Sequence, residues 1–226
     1  MRARTNPWPA FVDLFSALLI ATFAGLIMFS WAYQESMGRY EKIAGDVREA
    51  QVEANKIGES LEQLLKNTGL GGKVRRCGDD TCIDLYIHFS KDEDAISPEQ
   101  GAILAQACQI LKTALDNLPR DKREVIEVII EGHTDSQQIV SEDPRIRYLF
   151  NWNLSAMRAT SVLYEFQKCG LAPPEYRIVA IGYADSMPLC LDSTPECYAQ
   201  NRRTTLRLRI DTQRIEERTR REGRTE

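Results

Sequence analysis

Histidine is scarce in this chain. The two present, His88 and His133, are not placed with a cysteine pair at any ligand spacing, and the six cysteines include no C-x-x-C. These gaps argue against a structural metal centre, which gathers thiolates and imidazoles at short fixed intervals. No G-x-S-x-G, H-E-x-x-H or P-loop sequence occurs, so no nucleophile–base pair is legible. The expectation is a protein that is not an enzyme and uses neither metal nor cofactor. Basic excess is missing too. Lys and Arg number 29 against 33 Asp and Glu, a formal net charge of −4, which argues against nucleic acid as a partner.

Charge of either sign is absent from residues 14–33, LFSALLIATFAGLIMFSWAY. A helix of that length rises about 30 Å, one bilayer core. Asp13 stands one position before it, at the edge of hydrocarbon, where ionisable groups are costly and usually line an ion path. Capping of the helix start is the plainer role for it. A cleavable signal peptide is the alternative for the whole segment. Against it stand the length of the run, the acid near its start and the lack of a small-x-small site at the exit, Trp31-Ala32-Tyr33-Gln34-Glu35-Ser36. Trp8 at one end and Trp31 and Tyr33 at the other fit interfacial belts. Arg2 and Arg4 precede the span and the next basic residue is Arg39, so the positive-inside rule places the N-terminus in the cytoplasm. The expected layout is a cytoplasmic tail at 1–8, a membrane helix at 9–33, a stalk at 34–68, a domain at 73–210 and a charged tail at 211–226.

Asp13, Ala17, Ala21 and Gly25 recur every four residues, a small-residue face suited to close helix packing. In the stalk, Tyr40, Ile43, Val47, Ala50, Ala54, Ile57, Leu61 and Leu64 follow 3-4 spacing. That is a heptad seam, and a parallel two-stranded coiled coil is expected from it, with docking on the chain's own domain as the alternative. Gly45 and Gly58 weaken the helix.

The cluster Thr68-Gly69-Leu70-Gly71-Gly72 marks a boundary. Beyond it, residues 83–89 read as a strand, with 73–76 as its hairpin partner. Ser97-Pro98-Glu99-Gln100 opens a helix over 98–118 by its capping pattern. A strand at 125–131, a helix at 151–168 and strands at 176–181 and 204–210 complete a β-α-β-α-β-β order, an α+β domain. The tail from Asp211 is almost wholly polar, and disorder is expected beyond about residue 216. For a domain outside the cytoplasm, six cysteines suggest disulfides. The simplest pairing is Cys77–Cys82, Cys190–Cys197 and Cys108–Cys169; six free thiols are the alternative.

Three ordered segments carry a resemblance. Ile130-Glu131-Gly132-His133-Thr134-Asp135 ends a strand in G-H-T-D. Asn151-Trp152-Asn153-Leu154-Ser155-Ala156-Met157-Arg158-Ala159 reads N-x-x-L-S-x-x-R-A. Gly182-Tyr183-Ala184-Asp185-Ser186-Met187-Pro188 is followed by Asn201-Arg202-Arg203. Residues 80–210 thereby resemble the C-terminal domain of the OmpA family, which binds peptidoglycan. The residues are consistent with that role. Asn151, Leu154 and Arg158 share one helix face, and Asp135 enters a loop. A carboxylate and a guanidinium suit a zwitterion such as the diaminopimelate of a peptidoglycan stem peptide: Asp135 to its ammonium, Arg158 forked onto its carboxylate. The resemblance implies the same roles, with Thr134, Asn151, Leu154 and Arg202 around them. An Asp135–Arg158 ion pair that only stabilises the loop is the bland alternative. An insertion within residues 136–145 departs from the family.

A helix opened by Phe11-Val12-Asp13-Leu14, then a stalk, then an OmpA-like domain resembles the B subunit of ion-driven stator motors. That group includes flagellar MotB and the ZorB protein of Zorya anti-phage defence; the regular stalk and short tail lean towards the latter. The resemblance implies a homodimer inside a pentameric A-type membrane subunit, with Asp13 carrying protons. A structural anchor from inner membrane to wall, without ion flux, is the contrasting expectation.

Overall fold

A computed structural model describes residues 7–66, 68, 70, 73–87, 89, 94–137 and 141–223; His88 and residues 138–140 of the insertion lie outside these. Helix α1, Trp8–Lys66, runs without a break through membrane segment and stalk, about 90 Å at helical rise. A hairpin follows, β1 (Lys73–Cys77) and β2 (Asp80–Leu85), then α2 (Pro98–Asp116), the single turn α3 (Arg120–Arg123) and β3 (Ile126–Gly132). The chain continues through α4 (Pro144–Lys168), β4 (Arg177–Gly182), α5 (Pro195–Asn201), β5 (Thr204–Ile210) and α6 (Thr212–Glu222).

The five strands lie in the order β1-β2-β5-β3-β4. Only β3 and β4 run parallel, and α4 makes the crossover that a parallel pair requires. Alternation sorts the side chains to two faces. Ile83, Leu85, Val128, Ile130, Leu206 and Leu208 turn towards Leu104, Leu111 and Leu115 of α2 and Val162 and Phe166 of α4, and all are buried. The other face carries charge. Glu127 pairs with Arg177 and Arg209, Glu131 with Arg207, and Asp84 with Arg75. Burial alone would raise the Asp84 carboxyl. Hydrogen bonds from Arg75 and Thr205 and the charges of Arg75 and Arg203 outweigh it and hold the group below the usual carboxylate range.

The α+β class holds, with local differences. The stalk seam packs on its own domain. Ala50, Ala54, Ile57, Leu61 and Leu65 are buried in the common core, so from Ala50 onward this face is not free for a coiled-coil partner. A heptad stripe serves either use, and residue size decides here. Ala50, Ala54 and Gly58 are weak knobs for a coiled coil but allow a close approach to the hairpin. A Cβ at Gly58 would fall 2.9 Å from Thr81 Cγ2.

The tail also departs from the disorder expected of it. It forms α6, capped by Asp211, whose side chain accepts from the Arg214 N–H. Ile215 and Thr219, one turn apart, are buried. Arg218 ties α6 to Asp46 of α1 at 2.7 Å and to Asp121 at 3.1 Å. The domain therefore extends on both sides of 73–210. Helix α4 starts at Pro144, one residue after its Asp143 cap, so the end of the insertion becomes added helix. The three disulfides join Cys77 to Cys82, Cys108 to Cys169 and Cys190 to Cys197.

Candidate peptidoglycan-binding site

Two glycines set the site. Gly132 ends β3 and Gly182 ends β4, and the two are register partners. A Cβ on Gly132 would lie 2.0 Å from the carbonyl oxygen of Ser155, and one on Gly182 would lie 2.6 Å from the Ala156 nitrogen. Any side chain there would push α4 off the sheet, so glycine is required for packing rather than for backbone freedom. With the helix seated, Ser155 Oγ accepts from the Ala184 N–H at 3.0 Å, and the Ala184 carbonyl accepts from the Thr134 N–H at 2.9 Å. Ala184 is held at φ 49°, an uncommon conformation for a residue with a Cβ, by these bonds on both sides.

This stitching carries the β3 end into the loop of Asp135. Its Oδ1 accepts from the Gln137 N–H at 2.9 Å, and its Oδ2 from Arg202 Nη1 at 2.5 Å. Asn151 donates to the Asp135 carbonyl at 3.3 Å and to that of Gln137 at 3.5 Å, so Asn151 braces the loop. Leu154 is buried and packs. Thr134 is buried, with its Oγ1 lacking a hydrogen-bond partner among the described residues. Arg158, buried on α4, lies with its guanidinium 4.9 Å from the centre of the Phe89 ring, within cation–π range.

A cleft of about 390 Å³ opens here, lined by Tyr86, Phe89, His133, Arg158, Gln200 and Arg202 among others. Asp135 is not among its lining residues; it meets the cleft through Arg202. His133 stacks on Tyr183, its backbone N–H donates to the Arg203 carbonyl, and its Nε2 lies 3.5 Å from Glu131 Oε2. Burial holds His133 below the ordinary imidazole range; the Glu131 carboxylate opposes that and the Arg203 charge adds to it. Arg203 is buried 3.5 Å from Asp84 and donates to the Met187 carbonyl. It braces the sheet and, like Arg202, lines the cleft.

Of the residues expected at the site, Arg158 and Arg202 line the cleft, while Asp135, Thr134, Asn151 and Leu154 do not; Asp135 is joined to it by Arg202 and braced by Asn151. Sequence reasoning missed the wall built by Tyr86, Phe89 and α5. Asn201 of α5 accepts from the Leu189 and Cys190 N–H groups and donates to the Cys190 carbonyl, fixing the neighbouring Arg202. The signal for α5 was present: Thr194-Pro195-Glu196 repeats the cap-proline-acid opening of α2 at Ser97-Pro98-Glu99.

The OmpA family profile matches residues 88–202, just over half of the chain. The chain belongs to the OmpA family. A relative, the uncharacterised protein YtxE of Bacillus subtilis, is 26% identical over 177 residues, spanning 76% of this chain and 67% of YtxE. Among solved structures, a Desulfovibrio vulgaris protein described as MotB-like superposes with a TM-score of 0.57 at 19% identity, covering 74% of this chain and 95% of its own. The periplasmic domain of Helicobacter pylori MotB gives 0.51 at 17% identity, covering 65% and 84%. At such identities the likeness to the two solved structures is one of fold. In this chain α4 begins at Pro144 and a terminal α6 is tied to α1 through Arg218 and Asp46.

Proposed function

We propose that this chain is a B-type subunit of an ion-driven motor in the bacterial inner membrane, anchored to peptidoglycan by its OmpA-family domain. The N-terminus lies in the cytoplasm, residues 9–33 cross the bilayer, and the domain stands in the periplasm. The observation that carries this reading is the continuity of α1. One helix holds Asp13, the sole charged residue between Trp8 and Gln34, near its start. Fifty residues on, it buries Leu61 and Leu65 in the wall-binding domain. Force generated at the acid is thus transmitted along a rigid rod to a fixed point.

Proton arrival from outside neutralises Asp13, and release to the cytoplasm restores the charge. The membrane potential supplies about 2.3 kcal/mol per charge per 100 mV. A pentameric A-type ring reading the change in charge would turn against the anchored rod. A second copy fits along the small face of Ala17, Ala21 and Gly25, upstream of the docked part of α1. In the outer domain, Asp135 takes the ammonium of a stem-peptide diaminopimelate, and Arg158 and Arg202 take its carboxylate.

The unbroken stalk suits a permanently extended anchor, which favours a Zorya-type defence motor over a flagellar stator. Replacing Asp13 with Asn tests the motor. The variant should assemble with its ring and bind wall yet lose all activity of the system. A passive anchor between membrane and wall would work as well as wild type.

A further inference from the structure

Asp135 already has a cation. Its carboxylate is 9% exposed, and both oxygens are engaged, one by the Gln137 N–H and the other by Arg202. Arg202 is 46% exposed and lines the cleft, standing between the open cleft and the acid. A ligand ammonium reaches Asp135 only by displacing or sharing that guanidinium. Arg202 follows the Asn201 clamp in sequence, and its half-exposed side chain reaches Asp135 from the cleft side.

We propose that Arg202 is a specificity gate that makes binding an exchange of ion pairs. A ligand bearing both an ammonium and a carboxylate on one carbon replaces Arg202 at Asp135 and offers the released guanidinium a new partner, alongside Arg158 on the cleft wall. One ion pair is broken and two are formed, with no group left buried and uncompensated. A ligand bearing an ammonium alone breaks the Asp135–Arg202 pair, replaces it at Asp135 and gives the displaced Arg202 no anion in exchange. The site therefore discriminates through the cost of opening the gate, in addition to any direct contact with the carboxylate. This inference rests on the reading of the cleft as the stem-peptide site.

The test is direct binding to the full-length protein in detergent. Two soluble stem tripeptides serve as probes, identical except that one carries meso-diaminopimelate and the other lysine at the third position. Wild type should bind the diaminopimelate peptide and discriminate against the lysine peptide. Arg202→Gln should weaken the first and tighten the second, by about threefold to tenfold, the range for loss of a half-exposed charged pair. Arg202→Met, a second uncharged variant of similar length, should do the same. Tighter binding of the lysine peptide is the outcome that a simple carboxylate clamp would not give. Lysine-peptide affinity unchanged or reduced in both variants overturns the gate while leaving the cleft reading intact. Failure of wild type to bind either peptide overturns the cleft reading, and the gate with it.

Discussion

Gly132 lies against Ser155, so close that a Cβ on the strand would fall 2.0 Å from the helix carbonyl oxygen. The contact joins the end of β3, which leads into the loop of Asp135, to the middle of α4, which carries Arg158. Gly132→Ala should therefore cost about 2–3 kcal/mol or more by overpacking. It should also separate the two charged residues. Thermal unfolding of the full-length protein checks the first effect and wall binding the second. A variant with wild-type stability would show that α4 is seated by other contacts.

The three disulfides should contribute unequally. Cys108–Cys169 closes a separation of 61 residues, against 5 for Cys77–Cys82 and 7 for Cys190–Cys197. In the chain-entropy account the long loop is worth about 4 kcal/mol and each short one about 2 kcal/mol. Paired Cys→Ala replacements, bridge by bridge, should lower the denaturant midpoint most for Cys108 and Cys169. Equal losses would mean that native packing around the bridges, rather than loop closure, sets their value.

Acid should destabilise the domain in two stages. His133 is buried with its basicity lowered. In the unfolded chain it takes up a proton near pH 6.5, but in the folded chain only further down. Stability should therefore fall as pH drops below about 7 and keep falling to the folded value. Asp84 and Glu131 feel burial that would raise them, yet their arginine partners and, for Glu131, His133 hold both below the ordinary range. Their contribution is complete above the unfolded carboxylate values, near pH 4, and is lost below them. Unfolding free energy measured from pH 8 to 3 should show both slopes. His133→Gln should remove the upper one and, by taking a partner from Glu131, shrink the lower one; an upper slope that survives the substitution would assign it to other groups.

Much of this molecule is written locally in its sequence. The alternation in TTLRLRI marks β5 with its arginines on the charged face, and the serine–proline opening marks α2 with its capping box. Short and long-range features were harder to read. A seven-residue helix such as α5 is too brief to show a period, and α6 shows only two buried positions in a charged background. The heptad seam of the stalk was clear, but its partner was not, because a sheet and a second helix ask for the same stripe. At the site, the residues were legible and their pairing was not. Asp135 and Arg202 are 67 positions apart, and which arginine meets the acid depends on the α5 clamp. The need for glycine at 132 and 182 likewise arises only once α4 crosses them.

The most direct test of the account is co-sedimentation of the full-length protein with purified peptidoglycan sacculi, comparing wild type with Arg158→Ala and Asp135→Asn. Arg158 and Asp135 reach the same end of the sheet from different elements, so either substitution should release the folded protein into the supernatant. Wild type should pellet with the wall. Variants that remain folded and still pellet like wild type would contradict the assignment of this cleft to the cell wall, and with it the anchored rod on which the motor reading depends.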